Sequence, residues 1–358
     1  MHRPSHRIAL LLLAGSLQAC ATGDTDDPGA GQPAGDPSAP LRFDVAPRQA
    51  AYLADEPVLV DVTITNTSAG DARLLAWMLP DADLEEPLFE VTQGGQRAAF
   101  VGPHYKRAHT EAADFVPLAA GASITRQVDL ARFYDLSRTG DLEIQLVVGA
   151  RELVPDGASA GAIRSNTART WVEGHAQPAA ELAPVTIAGP LSFSRCSTTQ
   201  MDTVTQAVAA ANSMSDGAVS YLAGSPSATP RYTTWFGTFS TGGWSTARSH
   251  FAAIADAFDT KPVTVDCGCK KKYYAYVYPN QPYTIYVCSV FWSAPLTGTD
   301  SKGGTLIHEM SHFNVTASTD DWAYGQSAAK SLALSDPSRA LDNADSHEYF
   351  AENTPAQP

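Results

Sequence analysis

Residues 303–313 read Gly-Gly-Thr-Leu-Ile-His-Glu-Met-Ser-His-Phe, and this stretch decides how the C-terminal half of the chain is interpreted. Its residues predict a helix over Gly304–His312. On a helix, His308 and His312 are four residues apart, so their imidazoles project from one face and can bind one ion. Glu309 lies beside them, where a carboxylate can accept a proton from water. Zinc suits such a donor set because it activates water near neutral pH.

A catalytic zinc ion needs a third protein ligand, and the sequence narrows the choice. In one class of protease, a glycine and then a third histidine follow the second histidine at fixed spacing. Val315 and Ser318 stand at those two places here, so that class is excluded. The carboxylates that could complete the site are Asp320, Asp321, Glu348 and Glu352. The residue types alone leave this choice open.

Outward from the motif, the C-terminal half has the pattern of a helix-rich α+β domain. Helical spacing predicts helices over Thr198–Leu222, Ser245–Phe258 and Tyr324–Leu334. Two aromatic-rich runs, Tyr273–Tyr278 and Tyr283–Val287, predict strands joined by a turn.

The N-terminal half alternates like a β domain instead. Val58, Val60, Val62 and Ile64 fall on one face of a strand, and similar short runs recur between turns. The spacing predicts an immunoglobulin-like two-sheet sandwich over residues 41–188. Its histidines are scattered, and we expect them at the surface or in loops: His104, His109 and His175.

The first 40 residues have the pattern of an export signal and a tether. Residues 1–20 have a basic start, an apolar core and small residues before Cys20, as in lipoprotein signal peptides. Lipidation of Cys20 would be the only contact with a membrane, and ordinary signal cleavage nearby is the alternative. Residues 21–40 are rich in Gly, Ala, Pro and Asp and predict a flexible linker. The protein is therefore expected to be exported, either to the bacterial cell envelope, for example as an outer-membrane lipoprotein, or into the medium.

Composition excludes some partners. The chain has 358 residues and a formal net charge of −14, which argues against binding nucleic acid. This length predicts two domains, with the second over residues 189–358. The oligomeric state is left open, with a monomer favoured.

The four cysteines of the C-terminal half are Cys196, Cys267, Cys269 and Cys288. In an exported protein, an even set is better explained by disulfides than by free thiols. A bridge between Cys267 and Cys269 is strained, which leaves two pairings open.

Three separated blocks resemble the aspzincin metalloproteases, and among them most closely the peptidyl-Lys metalloendopeptidases. The blocks are residues 304–309, 319–325 and 343–350, and the similarity extends from about Cys196 to Gln357. The resemblance implies a zincin-type catalytic domain with one zinc ion held by His308, His312 and Asp321. It further implies Tyr324 as the donor to the oxyanion. The disulfides it implies are Cys196–Cys267 and Cys269–Cys288.

The same resemblance assigns substrate binding to Asp345 and Glu348, which would line the pocket for a lysine after the scissile bond. A carboxylate in an apolar pocket selects cations, because a buried ammonium needs a partner. The alternatives are that Asp345 caps the helix that starts near Ser346 and that Glu348 pairs with a surface arginine.

The sequence thus predicts a zinc metalloendopeptidase that cuts proteins on the amino side of lysine, with Glu309 as the general base. The alternatives are a deuterolysin-like protease of broader specificity and a catalytically silent surface-binding protein. Residues 41–188 take the place of a propeptide, as in a zymogen. No lysine lies between Lys106 and Lys261, so a strictly lysine-directed enzyme could not release itself near residue 190.

Overall fold

The computed structural model describes residues 40–108, 110–149, 153, 162–176, 185–188 and 190–358. The predicted signal peptide, Cys20 and nearly all of the predicted linker lie outside the described residues, as does His109.

Strands dominate the described part of the N-terminal half. They are β1 Leu41–Pro47, β2 Ala51–Tyr52, β3 Leu59–Asn66, β4 Ala72–Leu75, β5 Phe89–Gln93, β6 Gln96–Arg97, β7 His104–Arg107, β8 Phe115–Leu118, β9 Ser123–Asp129, β10 Gly140–Gly149, β11 Ala162–Arg164, β12 Ala168–Val172 and β13 Val185–Ala188. One sheet has the order β1-β3-β9 and another β2-β12-β10-β5-β6, with β11 on β10, while β4 pairs with β8. The face of β3 predicted to be apolar is buried. The immunoglobulin-like topology stays a prediction.

The C-terminal half combines seven described helices with four strands. The helices are α1 Thr198–Leu222, α2 Pro230–Phe236, α3 Thr241–Thr260, α4 Lys302–His312, α5 Gly325–Ser335, α6 Pro337–Ala340 and α7 Ala344–Glu352. The strands are β14 Leu191–Ser194, β15 Val263–Asp266, β16 Tyr273–Val277 and β17 Thr284–Val287. Helix α3 begins earlier than predicted because the Ser240 hydroxyl accepts a hydrogen bond from the backbone N–H of Gly243.

The third large sheet joins the two halves of the chain. Its order is β13-β14-β15-β17-β16-β7. Strands β14, β15 and β17 are parallel neighbours, and β16 runs antiparallel to both β17 and β7. Two of its six strands, β7 and β13, precede the predicted boundary at residue 188. The two halves are therefore connected by main-chain hydrogen bonds as well as by the covalent chain.

Helix α4, which carries the histidine motif, lies in the centre of the C-terminal half. All eleven of its residues are buried. It packs against α1 and α7, and a Cβ at Gly304 would collide with the Glu352 carboxylate of α7. This close approach brings α7 alongside the two histidines.

Two disulfides connect the loop before β16 to other parts of the C-terminal half, one to the residues before α1 and one to the residue after β17. They join Cys196 to Cys267 and Cys269 to Cys288, the pairing that the resemblance implies. Among the described residues, no helix combines the length and apolar character needed to cross a bilayer.

Candidate metal centre and peptide-binding cleft

Three buried side chains converge on one point at the C-terminal end of α4. The His308 and His312 Nε2 atoms are 3.2 Å apart. The Asp321 carboxylate places Oδ1 3.3 Å from His308 Nε2 and Oδ2 3.5 Å from His312 Nε2. Donors about 2.0–2.1 Å from one tetrahedral zinc ion are about 3.4 Å apart, so these residues fit zinc.

Both imidazoles are held by their other nitrogen. His308 Nδ1 lies 2.8 Å from Asp345 Oδ1, and His312 Nδ1 donates to the Thr319 carbonyl at 2.6 Å. These bonds orient the rings and leave the Nε2 lone pairs for a cation. Burial lowers the pKa of His312 to about 3, which keeps its ring neutral.

The loop after α4 brings Asp321 to the histidines. Asn343 holds this loop, because its side-chain oxygen accepts hydrogen bonds from the backbone N–H groups of Trp322 and Ala323, both at 2.9 Å. The Asp320 side chain is about half exposed and makes no contact shorter than 3.8 Å with an imidazole among the described pairs. Asp321, rather than Asp320, is the carboxylate that meets both histidines.

Glu309 is fully buried beside this centre. Burial raises the pKa of Glu309 to about 8, although the positive charges of His308 and Lys106 act in the opposite direction. Neither carboxylate oxygen has a hydrogen-bond partner among the described residues. A buried carboxylate with a pKa near neutrality can both accept and return a proton.

Tyr324 immediately precedes α5, and its hydroxyl meets the N-terminal half of the chain. It accepts a hydrogen bond from Arg107 at 2.8 Å and lies 3.4 Å from Glu86 Oε1, to which it can donate. The Arg107 guanidinium in turn pairs with Glu86, and with Glu85 at 3.3 Å.

An acidic pocket next to the metal centre contains the side chain of Lys106. Its Nζ atom is 2.6 Å from Glu348 Oε2, 3.2 Å from Asp345 Oδ1 and 3.6 Å from Asp300 Oδ1. Lys106 is 1% exposed. Burial lowers the pKa of Lys106, but the three carboxylates more than offset this and hold the pKa well above its usual value.

Aromatic rings form the walls of this pocket. The rings of Tyr274 and Tyr349 lie 5.2 and 5.7 Å from the Lys106 ammonium, within the range of cation–π attraction. The Tyr349 hydroxyl donates to Asp300 at 2.6 Å and so fixes the third carboxylate.

The two alternatives for the acidic residues of α7 are not seen. Asn343, rather than Asp345, is the N-cap residue of α7. Asp345 accepts instead from the backbone N–H of Gly325 at 2.6 Å, as well as contacting His308 and Lys106. Glu348 pairs with a buried lysine, not with a surface arginine.

The expectation that these histidines lie at the surface or in loops is wrong for His104, which stands in strand β7, whereas His175 lies in a loop but not at the surface. His175 is buried, with its ring between the carbonyls of Glu173 and Glu56. The His104 side chain is only 9% exposed, and its ring centroid is 4.9 Å from that of His312. Both are buried by contacts with distant parts of the chain, which a sequence pattern does not reveal.

Several residues of this region had no role in the sequence interpretation: Asp300, Asn343, Lys106, Arg107, Glu85 and Glu86. Asp300 lies two residues before α4 and could have been noticed as a carboxylate close to the motif. Lys106 entered the sequence interpretation only as the start of the lysine-free stretch that ends at Lys261.

Comparison with known proteins gives a family for this arrangement. The aspzincin family model, described as lysine-specific metallo-endopeptidase, matches residues 221–352. An extracellular protease of Aeromonas hydrophila is 43% identical over 311 residues, which are 84% of this chain and 90% of the relative. A peptidyl-Lys metalloendopeptidase of Grifola frondosa is 36% identical over 318 residues, covering 83% of this chain and 88% of the relative. A solved zinc peptidase structure from Grifola frondosa is 48% identical, covers 46% of this chain and all of the solved chain, and superposes with a TM-score of 0.44.

Proposed function

Since the chain belongs to the aspzincin family of zinc metalloendopeptidases, we propose that it cuts protein chains on the amino side of lysine. One observation carries the proposal: the ammonium group of Lys106 is buried against Asp345 and Glu348. The pocket beside the metal centre therefore accommodates a lysine side chain of this same protein.

The charge of the pocket supports a preference for lysine. An ammonium group replaces its lost hydration with contacts to the carboxylates of Asp345, Glu348 and Asp300. A neutral side chain would leave the buried carboxylates of Asp345 and Glu348 without a counter-charge. Breaking a buried ion pair from one side costs about 3–5 kcal/mol, which corresponds to a preference of at least about 100-fold.

His308, His312 and Asp321 are the residues that we propose hold one zinc ion. When bound, zinc supplies an activated water and polarises the peptide carbonyl. Glu309 accepts the proton of the attacking water and passes it to the leaving amine nitrogen of the lysine residue. The Tyr324 hydroxyl donates to the oxyanion that forms on the carbonyl oxygen.

A digest of denatured proteins by the purified active enzyme, with cleavage sites mapped by mass spectrometry, tests the specificity. We expect lysine to follow the cut at nearly all sites. The Glu348→Gln variant should lose much of this preference, because an amide cannot neutralise an ammonium. Asp202→Asn, an exposed residue on α1, changes the net charge equally and should leave the cleavage pattern unchanged. Cleavage before residues of every type by the unmodified enzyme would contradict the proposal.

Two observations support export, whereas the lipid anchor is supported only by the sequence pattern around Cys20. The Aeromonas relative is named an extracellular protease, and this chain contains two disulfides. Lipidation of Cys20 is a proposal from the residues around it. An anchored protein should stay with membranes in high salt and be released by detergent; a freely soluble product that begins after Cys20 would contradict the anchor.

A further inference from the structure

Strand β7 fills the cleft that the metal centre, the acidic pocket and the edge of β16 form, in the extended conformation in which a peptide binds a protease. It adds to the exposed side of β16, with Tyr105 opposite Tyr276 and His104 opposite Val277. Strand addition of this kind fixes a peptide through main-chain hydrogen bonds, while alternate side chains enter pockets. Lys106 is the side chain that enters the acidic pocket.

The same placement brings the backbone of β7 close to the metal centre. The Lys106 side chain fills the acidic pocket, and the ring of His104, two residues earlier on the strand, has its centroid 4.9 Å from that of His312. An enzyme that cuts before lysine would cut the bond between Tyr105 and Lys106 in this arrangement. Strand β7 thus has the position of a substrate.

The contacts of the Tyr324 hydroxyl explain why a strand bound in this way could remain uncleaved. The Tyr324 hydroxyl has one proton, and Glu86 lies in position to accept it. Arg107 donates to the same hydroxyl and is itself held by Glu86 and Glu85. A tyrosine hydroxyl engaged on both sides cannot donate to the carbonyl oxygen of Tyr105. Both engaging residues belong to the N-terminal half.

We propose that residues 104–107 are an internal inhibitor: Lys106 binds as a substrate lysine, while Arg107 and Glu86 hold Tyr324 away from the carbonyl. This inference rests on the proposed lysine specificity. It implies a latent activity, because loss of the hold on Tyr324 makes Tyr105–Lys106 a site of self-cleavage. In that step water adds across the amide, leaving a carboxylate on Tyr105 and a protonated amine on Lys106.

The expected strength of inhibition follows from the covalent connection between strand β7 and the catalytic half of the same chain. A segment attached to its own target has an effective concentration of about 1 mM. If strand β7 binds with micromolar affinity, about one molecule in a thousand has a free cleft. The full-length protein should therefore hydrolyse an added lysyl peptide on the order of 1,000-fold more slowly than enzyme freed of its N-terminal half.

The test uses zinc-loaded full-length protein with Arg107→Met, which removes the charge and keeps the side chain long. We expect this variant to yield a fragment that begins with Lys106, at a rate that does not depend on protein concentration. Wild-type protein should stay whole at that bond over the same time. The double variant Arg107→Met/Glu309→Gln should also stay whole, which excludes a contaminating protease. Glu86→Gln should act in the same direction as Arg107→Met.

A second measurement does not depend on the folding of these variants. Enzyme freed of its N-terminal half by another protease is given a peptide of residues 101–108. We expect a cut between Tyr105 and Lys106, because the peptide lacks Glu86 to fix its arginine. Failure to cut this peptide, or to self-cleave in Arg107→Met and Glu86→Gln, while other lysyl peptides are hydrolysed, would overturn the inference. If no lysyl peptide is hydrolysed, the proposed function itself is wrong.

Discussion

Asp345 makes two contacts that have separate consequences for catalysis. One carboxylate oxygen lies 2.8 Å from His308 Nδ1, and the same oxygen lies 3.2 Å from the Lys106 ammonium. Glu348 also contacts the Lys106 ammonium, but it does not lie within hydrogen-bond distance of His308 Nδ1. Asp345 therefore supports both the metal centre and the lysine pocket, whereas Glu348 belongs mainly to the pocket.

The Asp345→Asn and Glu348→Gln variants should consequently differ. Outer partners of metal-bound histidines typically change metal affinity by about 10–100-fold, so Asp345→Asn should lower both zinc affinity and lysine preference. Glu348→Gln should lower lysine preference with zinc affinity nearly unchanged. Competition with a chelator measures the first property, and kcat/KM for matched lysyl and norleucyl peptides measures the second. Equal zinc affinity in the two variants would contradict the double role of Asp345.

Glu309 should be required for hydrolysis but not for metal binding. Its carboxylate is buried beside the three convergent donors, and we expect Glu309→Gln to lower kcat by about 100- to 10,000-fold. Zinc content should stay at one ion per chain, because an amide at this position removes no proposed ligand. Elemental analysis of the variant and of wild type checks both the count and the integrity of the fold. Full activity in Glu309→Gln would exclude the proposed mechanism.

Helices α3 and α7 meet through a pair of histidines, of which His347 is buried and His250 is partly exposed. His250 Nδ1 is 2.9 Å from His347 Nε2, and His347 Nδ1 donates to the Asn343 carbonyl at 2.9 Å. Burial lowers the pKa of His347 to about 3, against an ordinary value of 6.5. His250, whose pKa burial also lowers, is the titratable group in contact with it. Because His347 Nδ1 donates to a carbonyl, His347 Nε2 can accept a hydrogen bond from His250 Nδ1 only while the His347 ring is neutral.

This contact predicts loss of stability in acid. Between pH 6.5 and 3 the unfolded chain binds a proton at His347 that the folded chain does not, so the free energy of unfolding falls as pH falls. The loss from this residue should be about 2 kcal/mol between pH 7 and pH 5. Urea unfolding of wild type and His347→Gln at both pH values measures it. The variant should be less stable than wild type at pH 7 yet lose less stability on acidification; an equal loss would contradict the prediction.

The elements of the C-terminal half could be predicted well, because their patterns are local. Helix α1 begins and ends at the predicted residues, and α4 carries the histidines on one face as expected. Short elements were missed: α2 has seven residues and β14 four, too few for a periodic pattern. The choice of Asp321 over Asp320 needed a family resemblance, since it depends on how Asn343 holds a loop.

Strand β7 shows the limit of prediction from sequence at this scale. Its four residues, His-Tyr-Lys-Arg, contain no alternation and no apolar face. Their environment is made by β16 and α7, which are distant in sequence. A polar lysine in such a run gives no sign of burial, although the three carboxylates make its burial favourable.

At the scale of the whole molecule, the net charge of −14 is unevenly distributed, and part of the negative charge lies in the cleft. Residues 300–358 carry nine acidic and three basic residues, including the carboxylates of the metal centre and of the lysine pocket. The N-terminal half, although acidic as a whole, inserts two adjacent cations, Lys106 and Arg107, into this region. Local charge complementarity at the cleft, rather than the net charge of either half, therefore accounts for their contact.

The distribution of lysines predicts that another protease releases the N-terminal half. No lysine lies between Lys106 and Lys261, so a lysine-directed enzyme has no site near residue 189. The nearest arginines are poor substitutes, because Arg169 lies within β12 and Arg195 is paired with Asp266 at 2.7 Å. Purified wild-type protein incubated alone should keep its two halves covalently joined, and a trace of a broad-specificity serine protease should separate them and raise peptidase activity. N-terminal sequencing of the products locates the cut. A cut near residue 189 that occurs in wild type without added protease, and is absent in Glu309→Gln, would mean that the specificity is broader than lysine.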